Sequence, residues 1–478
     1  MMRAWLAIGL ALCLCGCAAF RSYDRSLLGT VEQAAAGNLD GAIRSLDAAN
    51  LGPAKDLLYY LELGMLQRLD KRFAESQKSW GVAQSRILGT ESSATEAVAS
   101  TLRGVSSFLV NDRLRTYPGY DYEKTLLFTL MALNRLSMGE WDQARVAIKQ
   151  THELEAAIEE QRSKQVQEVE EDATKRGART SFKDLKGYPV QTIDSPEVNA
   201  LKNSYQSALA HYLAGFVYEA LGEPSLAAPG YRLAIELQPG QPLLEAALSG
   251  LDERVAAPPD GLTDVLFVVE TGAAPALQSR QFALPVPTVS GSVVVALAFP
   301  VVASSEAYFA PTRLAIDGRE ALELAPITSV DLMARRRLKD DMPQIMLRAA
   351  IRAGSRAVMQ QGFNNSARGS SDSAGAGAAL ASLALGIGAL VTEHADERTW
   401  RTLPAAISIA RARLPAGSYV VSLGAGRAPV SVAGRYAVID LRLLRNRLFV
   451  NAPILQAQST GDVPAALEQI PQPKEVKQ

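Results

Sequence analysis

Gly215-Phe216-Val217-Tyr218-Glu219-Ala220-Leu221-Gly222-Glu223-Pro224-Ser225-Leu226-Ala227-Ala228-Pro229-Gly230-Tyr231-Arg232-Leu233-Ala234-Ile235-Glu236-Leu237-Gln238-Pro239-Gly240 reads as two short helices joined at Gly222-Glu223-Pro224. Gly215, Ala227 and Ala234 are small residues placed where helices cross, Tyr218 and Tyr231 are aromatic fillers, and Pro239 ends the pair. Small residues let backbones approach, and aromatic rings close the gap to the neighbouring pair. Comparable joints open at Gly37-Asn38-Leu39-Asp40-Gly41-Ala42, Lys71-Arg72-Phe73-Ala74-Glu75-Ser76 and Gly139-Glu140-Trp141-Asp142-Gln143-Ala144, so consecutive joints are separated by 34, 68 and 83 residues.

A period of 34 residues is that of tetratricopeptide repeats, and the chain from about 17 to 255 resembles that family. In the second copy Tyr60, Leu63, Gly64, Ser76, Trp80 and Ala83 fill the same slots, and in the third Ala132 takes a small slot and Ile148 an aromatic one. The copy expected around Val105 is hard to discern, which makes the array degenerate. The long third interval holds an insertion at about 152–196. The charged, helix-forming run from His152 to Lys175 predicts a helix prolonged as a solvated arm, in preference to a partner-binding projection, and Arg176 to Pro196 predicts a loop.

Ala256-Ala257-Pro258-Pro259-Asp260-Gly261 breaks the helical pattern. Beyond it, 264–270, 293–299, 405–414, 419–423 and 436–441 are β-branched or alternating runs, which predict a mostly antiparallel, sandwich-like β domain over 260–460. A helical insertion is expected at about 329–393. Thr328 or Ser329 would cap a helix whose apolar face is Leu338, Met342, Ile345, Ala349, Ala353 and Ala357, with a bend at Pro343 and Arg335-Arg336-Arg337 on a solvated face. Gly362 to Ser373 reads as a loop. Ala374 to Val391 is an uncharged run of about 27 Å as a helix, rich in Ala and Gly, and is expected to pack inside its domain or an oligomer in preference to entering a membrane. The fold class is therefore α+β, with helical repeats followed by the β domain and a C-terminal tail at 461–478.

With 49 basic and 50 acidic residues the chain offers no broad positive field, so nucleic acid is not an expected partner. Met1-Met2-Arg3 and the apolar run that follows predict a signal peptide over 1–16. All three cysteines lie there. Leu14-Cys15-Gly16-Cys17-Ala18-Ala19 resembles the bacterial lipobox, which implies cleavage between Gly16 and Cys17 and acylation of Cys17 by chains such as palmitate. Such acyl chains anchor a protein to a membrane without a transmembrane helix. Ala18, where inner-membrane lipoproteins carry Asp, implies sorting to the outer membrane, facing the periplasm.

His152, His211 and His394 have no His or Cys at metal-ligand spacing, and neither a P-loop nor a nucleophile elbow is present, so no catalytic, cofactor-binding or metal-binding residue is assigned and no cofactor is expected. Arg398, Trp400 and Arg401, within Asp396-Glu397-Arg398-Thr399-Trp400-Arg401-Thr402-Leu403-Pro404, are the candidate partner-binding residues. The plainer reading, which we prefer, is a loop whose Trp plugs the sheet edge and whose charges pair locally.

The lipobox, Asp121-Tyr122-Glu123-Lys124, Gly139 to Ala144 and Thr399-Trp400-Arg401-Thr402-Leu403-Pro404 together resemble a largely uncharacterised family of Gram-negative outer-membrane lipoproteins. That family keeps genomic company with lipoprotein activators of penicillin-binding proteins, which implies an envelope role. The expectation is a non-enzymatic, lipid-anchored periplasmic adaptor that holds an envelope protein through its repeats, with peptidoglycan as a further partner. The alternative is a peptidoglycan- or glycan-processing enzyme acting around Asp396, Glu397 and Trp400.

Overall fold

The computed structural model describes residues 23–50, 55–101, 116–178, 180–256, 261–288, 291–303, 308–369 and 394–452. The lipobox, Val105, the apolar run 374–391 and the tail 461–478 lie outside them.

Among the described residues, four helical hairpins form the first half: α1 (Tyr23–Ala36) with α2 (Leu39–Ala49), α3 (Leu57–Leu69) with α4 (Phe73–Thr101), α5 (Asp121–Ser137) with α6 (Trp141–Arg176), and α8 (Ala208–Ala220) with α9 (Pro224–Leu237). The short α7 (Pro196–Ala200) precedes the last pair, and α10 (Pro242–Ser249) and α11 (Leu251–Ala256) follow it. Each hairpin turns at the residue that opens its joint in the sequence: Gly37, Lys71, Gly139 and Gly222 all have positive φ. In all four turns the next residue returns its N–H five positions back, as from Arg72 to Gln67 and from Glu223 to Tyr218, so spare helix carbonyls are capped. Among these four turn residues Lys71 alone is not glycine. Gly222→Ala is expected to cost about 1 kcal/mol and Lys71→Gly to recover a few tenths, read as shifts in urea midpoint.

The crossing slots also coincide. A Cβ on Gly64 would collide with the Trp80 ring, and one on Gly215 with Tyr231. Ala132 and Ile148, both buried, stand in the same relation in the third hairpin. Helix α6 does run on to Arg176, but it is not simply a solvated arm. Val169 and Ala173 pack against Leu347, and Arg162 pairs with Asp121 at 2.5 Å and Asp341 at 3.2 Å. Residues 180–195 are a loop containing two 3-10 turns, Phe182–Asp184 and Val190–Thr192.

Strand β1 (Leu262–Thr271) lies at the centre of a five-stranded sheet ordered β11-β10-β1-β7-β6, with β6 at Ala325–Ser329, β7 at Ala406–Pro415, β10 at Tyr436–Leu444 and β11 at Arg447–Val450. All pairings in it are antiparallel except β1 with β10. A four-stranded sheet of β5 (Leu322–Glu323), β4 (Arg313–Ile316), β8 (Gly417–Leu423) and β9 (Gly426–Val432) covers one face, where Val265, Phe267 and Val269 meet Leu314, Val421 and Val430. The opposite face, with Leu266, Val268, Ile407 and Ile409, shares one apolar core with helices α3, α5 and α8. Helix on one side and sheet on the other leave almost no exposed position on β1. The helices stop at Ala256 and β1 begins at Leu262, yet this core runs across the join.

A two-stranded ribbon of β2 (Leu277–Thr288) and β3 (Gly291–Val302) leans on α12 (Val330–Gly369). Ser329 caps α12 by accepting the Leu332 N–H at 3.2 Å, and Leu338, Met342, Ile345, Ala349 and Ala353 are buried on one face. Two expectations are corrected. The helix continues through 362–369, where a loop was expected, since that stretch contains no Pro and its Gly362 is a single interruption. Arg335, Arg336 and Arg337 are not a solvated face: each pairs with an aspartate four residues away, Asp331, Asp340 or Asp341, at 2.6 to 2.9 Å, and Arg337 lies 3.4 Å over the Tyr120 ring. Among the described residues no helix is long and apolar enough to cross a membrane.

Candidate interaction site and the helix–sheet seam

The turn from Thr399 to Thr402 enters the inner side of the hairpin array and is held there by two carboxylates. Glu123, in the first turn of α5, accepts the Trp400 N–H at 2.7 Å, the Thr399 hydroxyl at 3.0 Å and the Tyr120 N–H at 3.0 Å. Glu62, on α3, accepts the Arg401 N–H at 2.7 Å, the Thr402 N–H at 3.1 Å and the Thr402 hydroxyl at 2.5 Å. Both carboxylates are fully buried. Between them the Trp400 indole stands edge-on to Trp80, with centroids 6.0 Å apart, and donates to Thr402 Oγ1 at 3.0 Å.

The three candidate partner-binding residues therefore point inward. Trp400 is 0% exposed. Arg401 pairs with Asp24 of α1 at 2.7 Å, and Arg398 pairs with Asp396 at 2.7 Å and faces the Tyr117 ring. The charges do pair, as the plainer reading has it, but the Trp fills a space among the helices where a sheet edge was expected. Glu397 accepts the Ser279 N–H at 2.9 Å. Asp396, Glu397 and Trp400, named above for the enzymatic alternative, thus each make contacts within the chain.

Burial pushes Glu62 up to about 7, against the pull of its three donors, and raises Glu123 as well. An acid whose folded value lies above its unfolded one binds protons more tightly when folded. Its contribution is then complete below about pH 4.5 and is lost as pH rises towards 7. For Glu62 the loss is about 3 kcal/mol. Glu62→Gln is expected to flatten the decline in stability between pH 4.5 and 7, measured as urea midpoints across that range.

Two further buried clusters stitch helices to sheet. Arg68 of α3 bonds Glu270 of β1 at 2.9 Å, Asp440 of β10, and Asn134 of α5 at 3.1 Å. Arg442 adds Glu270 at 3.5 Å and the carbonyls of Gly272 at 2.7 Å and Thr402 at 3.1 Å. Two cations thus face two anions, all essentially inaccessible. Burial raises Asp440 and lowers Arg442 to about 10, a value at which the guanidinium stays protonated at neutral pH. In the second cluster Glu219 of α8 receives Arg411 of β7 at 2.5 Å, Arg254 of α11 at 2.7 Å and the Tyr231 hydroxyl at 2.6 Å, while Arg411 also holds Asp264 at 2.7 Å. Arg254, Arg411 and Arg413, with Leu243 and Ala247, line an open cleft of about 250 Å³ beside it.

His152 and His211, 59 positions apart, come together as stacked rings 5.0 Å between centroids, with Glu155 3.2 Å from His211. Desolvation lowers His152. Among the described residues no group of three His, Cys, Asp or Glu is arranged to hold a metal ion. His394 is not part of this cluster.

What these features define is a class: an array of helical hairpins closed on its inner side by a β-sheet and by the Trp400 turn. No protein-family model matches the chain, and no curated protein matches it. A solved tetratricopeptide repeat protein from Parabacteroides merdae ATCC 43184 is similar at 13% identity over 48% of this chain and 98% of that one, with a TM-score of 0.14.

Proposed function

We propose that the protein is a lipid-anchored adaptor of the bacterial outer membrane, tethered through Cys17 and holding an envelope protein, in cell-wall assembly, on the outer side of its repeats. The observation that carries the reading is the succession of hairpins with coincident turns and crossing slots. Repeat arrays of this kind build extended surfaces out of units that contact only their neighbours. The inner side is filled by the Trp400 turn, so the binding surface is assigned to the second helices of the hairpins. There Val82 and Leu88 on α4, Val146 on α6 and Leu226 on α9 are exposed. Tethering raises the effective concentration of whatever that surface binds.

The test is crosslinking and affinity capture of the tagged protein from envelopes, beside Cys17→Ser and a V146D/L226D double variant. The reading expects one defined partner complex with the parent protein, release of the protein from membranes with Cys17→Ser, and loss of the partner with V146D/L226D. Membrane retention of Cys17→Ser removes the anchor, and equal partner recovery by the double variant removes the surface.

A further inference from the structure

Strand β7 sends Arg411 and Arg413 to the same face, and Arg413 stands directly opposite Asp264 of β1 in the ladder. A cross-strand ion pair is the ordinary outcome of such a register. It does not form, because both Asp264 oxygens already accept from Arg411: Oδ1 from Nε at 2.7 Å and Oδ2 from Nη2 at 2.9 Å. Arg411 in turn shares Glu219 with Arg254, whose remaining N–H groups go to the carbonyls of Ala246, at 3.3 Å, and Ala247. Arg413 is exposed, and among the described residues it has neither a hydrogen bond nor an ion pair.

Three guanidiniums thus meet two carboxylates, and the unmatched positive charge belongs to a side chain lining the cleft of about 250 Å³. Another wall of that cleft is α10, which presents Leu243, Ala246 and Ala247 and no charge. The volume lies just below that of sites for drug-sized molecules, so the space suits a small occupant. The far wall is rigid before anything binds, since Arg254 and Arg411 are each fixed by paired bonds to buried carboxylates.

We propose that this cleft binds a monocarboxylate carried on a compact apolar stem, the carboxylate on the Arg413 guanidinium and the stem against Leu243 and Ala247. A guanidinium fork fits carboxylate and phosphate alike. One unmatched charge is balanced by a monoanion, and the Asp264 carboxylate beside it opposes the second charge of a phosphate. The apolar wall rewards an alkyl group and has no donor for further anionic oxygens. Such a carboxylate can belong to a free acid or to the end of a peptide chain. The site uses none of the exposed helix positions assigned above to the adaptor's partner, so it stands or falls separately from that reading.

Isothermal titration calorimetry on the full-length protein tests this with two probes, hexanoate for the free acid and N-acetylalanylleucine for the chain end, the latter beside its C-terminal amide. The expected result is one site with a Kd of about 1 mM or tighter for at least one carboxylate, and no binding of the amide; the tighter probe names the source. Arg413→Gln is expected to weaken binding at least about 10-fold, with circular dichroism and urea midpoint unchanged because Arg413 bonds nothing within the chain. Arg413→Lys, which keeps the charge and loses the fork, should fall between the two. Absence of binding by both carboxylates at about 10 mM, or Arg413→Gln binding within about twofold of the parent, overturns the proposal.

Discussion

Arg68→Met is expected to destabilise the protein by about 3–5 kcal/mol, the loss that follows when one partner of a buried ion cluster is removed. Methionine fills nearly the same volume, so the effect is electrostatic. Glu270 and Asp440 would remain in a space closed to water with only Arg442 to compensate them. The R68M/D440N double variant is expected to recover at least about 1 kcal/mol, since it restores charge balance and keeps an amide beside Asn451. Urea denaturation followed by circular dichroism on the two singles and the double measures this. If R68M/D440N is no more stable than R68M, the charge argument for this cluster is wrong.

The second large effect belongs to Trp400→Ala, expected to cost about 3–5 kcal/mol through the cavity it leaves against Trp80 and the loss of the bond to Thr402. Trp400→Phe keeps most of the volume and should cost roughly half as much. A structural signature accompanies the energy. The backbone N–H of residue 400 bonds Glu123 and survives the substitution, but the turn that presents it loses its packing against Trp80, so the alanine variant should loosen the start of α5 and speed amide exchange around Tyr120 to Lys124 relative to α9. Uniform exchange in both helices would show that the turn does not fasten that end of the array.

The hairpins were legible because their determinants are local. A left-handed turn residue, two small crossing residues and an aromatic sixteen positions after the first of them all lie within one repeat, and Gly64 with Trp80 and Gly215 with Tyr231 met as the spacing predicts. The five β-branched runs became β1, β3, β7, β8 and β10. Strand β2 escaped notice because Gln281, Pro285 and Pro287 interrupt its apolar pattern, and β4, β5, β6, β9 and β11 are too short or too polar to show a period. The seam could not be read at all. Nothing in one sequence pairs Glu62 with the backbone at residue 401, or Arg68 with Asp440. Arg335 to Arg337 was a partial miss, since the aspartates at four-residue spacing were visible, but burial against Tyr120 was not. The exposed positions on the second helices follow from which side the sheet covers, and that is known only from the fold.

The bond from Arg68 to Asp440 reaches across 372 residues of chain, and this distance has a temporal meaning. At synthesis rates of about 5–20 residues per second, Arg68 emerges roughly 20–70 s before the aspartate that neutralises it exists. During that interval the hairpins present Glu62, Glu123 and Trp80 to solvent, with their intended cover still unmade. The first half of the chain must therefore wait, incomplete, for its last strands, with apolar and acidic surface uncovered until they arrive.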